Sequence, residues 1–325
     1  MLKPEIEDGE ASLADPAFRA DVLRGFEMRP RAIPARWFYD RRGSELFEAI
    51  TDLPEYYPTR TETAILRRIA PEVAALAGSG RAVVEFGSGS SMKTPIVLRA
   101  LEPSAYVPID ISGDFLRESA RGIADAFPDL TVLPVEGDFL RPITLPAQIA
   151  DAPKLGFFPG STIGNMVPHS SVDLLRAMKE SLGDGAMLLI GMDRIKDANV
   201  LTAAYDDAAG VTAAFNLNLL DRINRELGAA LPVDDFRHVA RWNDELARIE
   251  MHLEAQRDLD FTIDGRAFSI AAGETIHTEN SHKYGARDAR ILLRAGGWTP
   301  IAEWTDPDGL FAVILAEAQP SRLAP

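Results

Sequence analysis

The sequence predicts an α/β protein whose core is a doubly wound parallel sheet. Short apolar runs alternate with stretches of helical spacing between residues 61 and 195, which is typical of a parallel sheet covered by helices. The same alternation returns over residues 286–321. Residues 1–60 and 196–285 interrupt this pattern, so we expect a second, inserted α+β domain built from them.

The elements of the predicted core follow one another in strand-helix order. We expect helices at 62–77, 112–128, 170–182 and 286–294, and strands at 81–86, 105–112, 130–139, 154–158, 185–193 and 310–318. Ser112 or Asp114 is a candidate N-cap for the second helix. In the inserted domain, residues 194–248 are predicted to be mostly helical and residues 247–279 to form strands and turns.

Composition excludes several classes of function. The 325 residues carry a formal net charge of -15, which argues against nucleic acid or an anionic membrane as partner. There are no cysteines, which removes disulfides, thiolate nucleophiles and zinc sites with cysteine ligands. The acidic N-terminus lacks the apolar stretch of a signal peptide, and no apolar run approaches the roughly 18 residues of a membrane span. We therefore predict a soluble, cytoplasmic protein without a metal site, and separately expect it to be a monomer.

The strongest local motif is "VVEFGSGSS", in which an apolar strand ends in a glycine turn. Glycines at such a turn allow a ligand to approach the backbone closely. Met92 occupies the place of the third glycine of a dinucleotide-binding motif, and an ordinary turn explains the pattern about equally well. The candidate cofactor residues of this segment are Glu85, Gly87, Ser88, Gly89 and Lys93.

Two later acidic positions strengthen the cofactor interpretation. Asp110 ends the second predicted strand, where its carboxylate could accept hydrogen bonds from both ribose hydroxyls of a nucleoside. Asp138 and Phe139 end the third, where they could contact the exocyclic amine and the ring of a base. This order of residues is typical of class I S-adenosylmethionine-dependent methyltransferases. Their methyl donor has no pyrophosphate, so a third glycine is not needed.

The stretch "FPGSTIGN" (residues 158–165) follows the fourth predicted strand. It resembles the turn that presents a hydrolase nucleophile, but Thr162 stands where the serine should be, and none of the five histidines has a triad context. No Gly-Lys-Ser/Thr follows, which excludes a phosphate-binding P-loop. We therefore expect a ligand-lining loop in which Asn165 contacts a charged group.

Several longer strings resemble the histidine-specific N-alpha-methyltransferases of ergothioneine biosynthesis. The similarity extends from about residue 20 to residue 318 and is carried by "WFYD", "GSELF", "LPEYYPTRTE", "EFGSGSSMKT", "GSTIGN", "AYDDAAGVTAAFN", "RIEM" and "TENSHK". The resemblance implies trimethylation of L-histidine to hercynine with S-adenosylmethionine as methyl donor. It also implies a substrate site between the two domains.

The resemblance also implies roles for individual residues. Tyr39, Gly160 and Asn165 match residues that contact the reacting amino acid, and Tyr56 and Tyr205 match others around its amino and carboxylate groups. The positions that would surround the imidazole are Met251, Glu279 and Ser281. For any one of the tyrosines, burial of apolar area is the simpler explanation.

Three alternatives remain at this point. Another amino acid, such as tyrosine or tryptophan, could be the substrate of the same reaction. A nicotinamide-dependent reductase would use a similar sheet, although Met92 counts against its glycine motif. A sensor that binds the cofactor without catalysis is the third. His282 could be read as a metal ligand, but the chain lacks metal-ligand spacing, and a packed histidine is the simpler explanation.

Overall fold

A computed structural model describes residues 15–89, 91–111 and 113–320 of the chain. The described chain divides into two compact units. The larger unit contains residues 47–211, 240–250 and those from 280 onward, and the smaller unit contains those up to 46 with 212–239 and 251–279. Residues 47–60, 196–211, 240–250 and 280–285, which we assigned to the second domain, fall in the larger unit. The functional division into domains stays a prediction.

Helices and strands alternate through most of the larger unit. The helices of the described chain are α1 (Pro16–Glu27), α2 (Arg41–Thr51), α3 (Tyr57–Ala77), α4 (Thr94–Leu101), α5 (Gly113–Ala126), α6 (Pro168–Leu182), α7 (Ala198–Tyr205), α8 (Val211–Leu227) and α9 (Ala286–Ala295). Short 3-10 helices cover Ala35–Phe38, Ala147–Ile149, Thr162–Asn165 and Val233–Asp235. None of the helices in the described residues is both long enough and apolar enough to cross a membrane.

The strands form a large sheet, a four-stranded sheet and a hairpin. They are β1 (Arg31–Ala32), β2 (Ala82–Phe86), β3 (Ala105–Asp110), β4 (Thr131–Val132), β5 (Val135–Glu136), β6 (Lys154–Phe158), β7 (Met187–Asp193), β8 (Phe236–Asn243), β9 (Arg248–Ala255), β10 (Leu259–Ile263), β11 (Arg266–Ile270), β12 (Thr275–His282), β13 (Trp298–Thr305) and β14 (Phe311–Ala318).

The sheet of the larger unit runs in the order β13-β14-β7-β6-β2-β3-β4, and β5 also pairs with β3. Strand β2 is parallel to both β3 and β6, whereas β14 is antiparallel to β7 and β13. The direction of winding reverses at β2, because the chain adds β3 on one side and later β6 on the other. Open α/β sheets bind ligands at the carboxyl edge of such a point. The predicted doubly wound fold is confirmed.

The core sheet is stabilised from both faces, which explains its continuous apolar strands. In β2, Val84 packs into a cluster with Leu174 of α6 and Leu293 of α9. Its neighbour Val83 packs into a second cluster with Ile65 of α3. Full burial of such side chains contributes about 1.5–3 kcal/mol each.

Two details of the predicted core were wrong. The third strand, predicted over 130–139, is reduced to the short strands β4 and β5, because Pro134 lies between them and has no N–H for the ladder. Asp114 is not an N-cap, since α5 already begins at Gly113 and Asp114 lies in its first turn. The other candidate cap, Ser112, lies outside the described residues.

A four-stranded sheet has the order β1-β12-β9-β8, and β10 pairs with β11 in a separate antiparallel hairpin. Strands β9 to β12 confirm the strands and turns predicted for 247–279. The prediction of helix over 194–248 is correct for α7 and α8 and wrong for β8. Only Phe236 of β8 is buried, so the alternation that identifies a half-buried strand is missing from its sequence.

Candidate active site

The turn after β2 has a backbone conformation that favours glycine. Gly87 has a φ of 70° and Gly89 a φ of 48°. A Cβ on Gly87 would lie 3.4 Å from the Phe139 ring, whereas at Gly89 no described atom lies within 4 Å. The Gly89 N–H donates to Asp110 Oδ2 at 3.1 Å. Four predicted cofactor residues are thus close together at the carboxyl edge of the sheet.

Two buried polar residues flank this turn. Glu85 Oε2 accepts hydrogen bonds from Thr94 Oγ1, at 2.7 Å, and from the Tyr106 hydroxyl. Burial raises the pKa of Glu85 to about 7, against the opposing effect of these two hydrogen bonds. The Ser88 hydroxyl is buried, and none of the described residues forms a hydrogen bond with it. A buried hydroxyl of this kind fits a site that binds a polar ligand.

The segment after β5 supplies the third part of this edge. Asp138 Oδ1 accepts the N–H of Leu140 at 3.0 Å, which closes a local turn. The Phe139 ring lies 5.9 Å from the Phe158 ring and 6.4 Å from the Phe86 ring, both edge-on. Phe139 is therefore fixed between the ends of β2 and β6.

The loop 158–165 begins where β6 ends. Gly160 has a φ of 80° and Ser161 a φ of 56°, so two consecutive residues adopt the left-handed region. Ser161 Oγ accepts the N–H of Asp193 at 2.9 Å and supports the loop from within. This serine is 5% exposed, which agrees with the exclusion of a nucleophilic role.

The second half of the loop, the 3-10 helix Thr162–Asn165, packs closely against β12. A Cβ on Gly164 would lie 2.7 Å from the His282 carbonyl oxygen, so only glycine allows this approach. His282 Nδ1 in turn lies 2.9 Å from the Gly164 carbonyl oxygen, with its ring buried. Asn165 ends the 3-10 helix and is half-buried.

Glu62 of α3 connects this loop to the glycine turn, and the sequence analysis missed it. Its side chain is 1% exposed, its carboxylate accepts the Gly160 N–H at 2.8 and 3.1 Å, and it forms an ion pair with Lys93. A Cβ on Gly191 would overlap Glu62 Oε1. The signals available in the sequence were an acid on an apolar helix face and a glycine inside the apolar strand "LLIGMD".

Tyr205 and Ser281, two predicted substrate residues, form one buried group with a lysine. Their hydroxyl oxygens lie 2.6 Å apart. Lys283 Nζ donates to the Tyr205 hydroxyl at 3.0 Å and to Ser281 Oγ at 2.8 Å. The Tyr56 ring lies 6.2 Å from the Tyr205 ring, edge-on. The larger unit thus brings together three of the predicted substrate residues, and the sequence analysis had not identified Lys283.

The smaller unit contains the remaining predicted substrate residues. The Tyr39 ring packs edge-on against Phe215 at 5.9 Å. Met251 is 2% exposed, and its carbonyl oxygen accepts a hydrogen bond from Thr278 Oγ1 at 3.1 Å. Glu279 is half-buried on β12, and its carbonyl oxygen lies 2.9 Å from His277 Nε2.

Known proteins resemble this chain along nearly its whole length. The model of a family described as histidine-specific, SAM-dependent methyltransferase matches residues 18–318. A histidine N-alpha-methyltransferase of Mycobacterium tuberculosis is 43% identical over 312 residues, which cover 92% of this chain and 94% of that protein. The histidine N-alpha-methyltransferase of Mycolicibacterium smegmatis is 41% identical over 317 residues, covering 94% and 96%.

A more distant relative is part of a longer protein. The chain is 28% identical over 310 residues to ergothioneine biosynthesis protein 1 of Neurospora crassa, which covers 90% of this chain and 34% of that protein. The residues matched by the family model include the glycine turn, the loop 158–165 and the group around Tyr205. With residues 18–318 matched by the family model and two relatives that are 41% and 43% identical, this chain belongs to the family of histidine-specific, S-adenosylmethionine-dependent methyltransferases.

Proposed function

We propose that this chain transfers methyl groups from S-adenosylmethionine to the α-nitrogen of L-histidine. Three successive transfers give hercynine, the betaine of histidine, which is the first step of ergothioneine biosynthesis. The names of the bacterial relatives support histidine as the substrate, and the name of the Neurospora relative supports the pathway. The arrangement of residues in the larger unit supports the chemistry.

The structural observation that best supports the proposal is a buried carboxylate that connects two loops. Methyl transfer requires these two loops to keep fixed positions relative to each other. Glu62 accepts the N–H of Gly160 and pairs with Lys93, which follows the glycine turn. An in-line displacement at a methyl group requires the attacking nitrogen and the sulfonium to be fixed at a short distance. A shared support for the two loops meets that requirement.

Residues around the glycine turn would hold the methyl donor, which supplies an activated methyl group on a sulfonium when it is bound. Gly87 and Gly89 leave the backbone accessible, and the buried Ser88 hydroxyl offers a polar contact. Asp110 is proposed to bind the ribose, with Asp138 and Phe139 at the adenine. Glu85 and Lys93 complete the proposed cofactor residues, Glu85 through its support of the turn.

Other residues would bind the amino acid. Asn165 and Tyr205 are proposed to bind its carboxylate, and Tyr39 and the Gly160 carbonyl oxygen to orient its nitrogen. Tyr56 packs beside Tyr205. Met251, Glu279 and Ser281 are proposed to surround the imidazole, with Glu279 and Ser281 hydrogen-bonding the ring nitrogens.

The nucleophile must be a neutral amine, although a free amino acid arrives as an ammonium ion. We assign no side chain as the base and propose that the proton leaves to water before each transfer. The described residues then position the nitrogen and exclude water from the reacting atoms.

Mass spectrometry of L-histidine incubated with the protein and S-adenosylmethionine tests the proposal. We expect species that carry one, two and three added methyl groups, with the third accumulating at long times. A reaction that omits the protein is the control. Histidine that stays unmethylated at all protein concentrations would contradict the proposal.

The oligomeric state and the cellular location are also proposals. We propose that the protein acts as a monomer in the cytoplasm, on a free amino acid and its mono- and dimethylated forms. Light scattering across a range of protein concentrations tests the first, since a monomer keeps the mass of one 35.5 kDa chain. Cell fractionation tests the second.

A further inference from the structure

Behind Tyr205 and Ser281 lies a buried ion pair in the larger unit. The Lys283 side chain is 0% exposed and the Asp193 side chain 1%, and Lys283 Nζ lies 2.8 Å from Asp193 Oδ2. Removing both charges from water costs several kcal/mol per ion, and strong partners have to offset that cost. Because this ion pair contacts two proposed substrate residues, it is a candidate for a role in substrate recognition.

The three hydrogens of the Lys283 ammonium all have acceptors. One goes to Asp193, and the others go to the hydroxyl oxygens of Tyr205 and Ser281, at 3.0 and 2.8 Å. Hydrogen bonds from a charged donor are stronger than those from a neutral one and polarise the group that accepts them. Lys283 therefore fixes both hydroxyl oxygens and strengthens the hydroxyls as donors. One of the two hydroxyl hydrogens bridges Tyr205 and Ser281, whose oxygens lie 2.6 Å apart.

Asp193 also has a second lysine, which provides a contrast. Lys196 Nζ lies 2.5 Å from Asp193 Oδ1 and 2.6 Å from the Tyr57 hydroxyl. Burial raises the pKa of the Tyr57 hydroxyl, with a further contribution from Asp193, so this tyrosine stays neutral. Despite the burial of Asp193, the two lysines hold the pKa of its carboxyl group below the ordinary value.

The two lysines differ in what they contact besides Asp193: Lys283 Nζ donates to the Tyr205 hydroxyl, whereas Lys196 Nζ lies 2.6 Å from the Tyr57 hydroxyl. A positive charge in a buried setting attracts an anion more strongly than the same charge in water. The chemical group that fits such a position is a carboxylate, which accepts hydrogen bonds from hydroxyl donors. An amine without a carboxylate gains nothing from it.

We propose that Lys283 is a positioning residue that acts through Tyr205 to make the site prefer amines carrying a carboxylate over amines lacking one. The inference rests on the proposed function and adds to it Lys283 as the residue that gives Tyr205 its preference for a carboxylate. Lys283 itself stays behind the hydroxyls, in contact with Asp193.

The test compares L-histidine with histamine, its decarboxylated form, as ligands. Calorimetry in the presence of S-adenosylhomocysteine gives the dissociation constant of each for the wild type, Lys283→Met and Lys196→Met. The two variants are matched, because each removes one buried positive charge and leaves Asp193 one lysine. Only Lys283→Met removes the donor to Tyr205 and Ser281.

We expect the wild type to bind L-histidine at least about tenfold more tightly than histamine, and Lys283→Met to lose most of this preference. Lys196→Met should keep the preference within about twofold. The inference fails if Lys283→Met keeps it, if Lys196→Met loses it equally, or if the wild type has none. Tyr205→Phe combined with Lys283→Met should lose little more than either alone, since the two act through one contact.

Two controls separate the possible failures. An unchanged dissociation constant for S-adenosylhomocysteine shows that the variants are folded. If Lys283→Met does not fold, Lys283→Gln is compared with Lys196→Gln in place of the two methionine variants. Lys283→Gln keeps N–H donors and should retain part of the preference. If the wild type methylates another amino acid instead of histidine, the proposal of histidine as substrate fails. The role of Lys283 is then tested by comparing that amino acid with its decarboxylated amine.

Discussion

Asn165 is the residue whose loss should separate substrate binding from cofactor binding. It ends the 3-10 helix Thr162–Asn165, on the loop that Glu62 and Ser161 support from behind. Asn165→Ala should raise the KM for L-histidine by about tenfold to a hundredfold, because hydrogen bonds to charged groups contribute roughly 1.5–3 kcal/mol. The dissociation constant for S-adenosylmethionine should stay within about twofold.

Steady-state kinetics and cofactor titration measure these two quantities. The control is His169→Ala, at an exposed position nearby in the sequence, which should leave the KM and the dissociation constant unchanged. If Asn165→Ala weakens cofactor and amino acid together, the loop is structural and Asn165 has no separate contact with the substrate.

Glu279 is the residue on which selectivity for histidine should depend. A carboxylate that accepts an imidazole N–H disfavours rings that lack this hydrogen, because its own hydrogen bond is then lost. Glu279→Ala should lower kcat/KM for L-histidine by about tenfold or more and raise the relative activity on tyrosine, phenylalanine or tryptophan.

A competition assay among the four amino acids measures this selectivity. Asp260→Ala removes an exposed carboxylate from the same unit and should not change it. Selectivity that is unaltered in Glu279→Ala would place Glu279 outside the substrate site.

At the residue scale, the sequence provides candidate ligand-binding side chains, but not the buried charged side chains that contact them. Asp110 and Phe139 are candidates because each lies at the end of a predicted strand, and the structure places Gly89 beside Asp110 and Gly87 beside Phe139. Their binding of the cofactor stays a prediction. Glu62 was missed because it is an acid on an apolar helix face whose partner Gly160 is distant in sequence. Lys283 was missed because it lies in the polar stretch "TENSHK", which does not indicate burial, and because Asp193 and Tyr205 are distant in sequence. Only the fold brings Glu62 to Gly160.

At the scale of elements, the packing of α3 against β7 requires a glycine in β7. Gly191 lies in the middle of β7, and a Cβ there would overlap Glu62 Oε1. Gly191→Ala should lower the free energy of unfolding by about 1–3 kcal/mol, because the buried carboxylate must move. It should also lower kcat, because Glu62 supports the Gly160 loop.

Urea unfolding and steady-state kinetics test this expectation. Gly122→Ala is the control: this glycine lies in α5, and no described atom lies within 4 Å of the place that an alanine Cβ would take. Alanine there should be neutral or stabilising by up to about 1 kcal/mol. A Gly191→Ala protein with wild-type stability and kcat would show that Glu62 has room to move without consequence.

The elements that sequence predicted best are those buried on both faces. Strands β2, β6 and β7 were found within two residues because each is mostly apolar and has a clear end: Gly87 follows β2, Pro159 follows β6 and Asp193 ends β7. Strand β8 was missed because its residues are mostly half-buried and show no alternation. The third strand was overestimated because Pro134 breaks a run that is otherwise apolar.

At the scale of the whole molecule, Glu85 should make stability depend on pH. Burial raises its pKa from an ordinary 4.5 to about 7, so between these values the folded protein binds a proton that the unfolded chain has released. Stability from this group is therefore fully present below about pH 4.5 and is lost as pH rises to about 7. The loss amounts to roughly 3 kcal/mol.

Glu85→Gln should remove this loss, since glutamine does not titrate. The measurement is the free energy of unfolding in urea at pH 5 and pH 8, expressed as the difference between variant and wild type. Asp125→Asn, at an exposed position of α5, is the control and should change little. A pH dependence that is the same in Glu85→Gln and in the wild type would show that Glu85 titrates normally.

The proposed function specifies both the amino acid and the nitrogen atom that receive the methyl groups. One measurement addresses both: an equimolar mixture of the twenty amino acids is incubated with the protein and S-adenosylmethionine, and the products are identified by mass spectrometry and NMR. We predict that histidine alone gains up to three methyl groups, all on the α-nitrogen. Methylation of an imidazole nitrogen, or preferential methylation of another amino acid, would contradict the account.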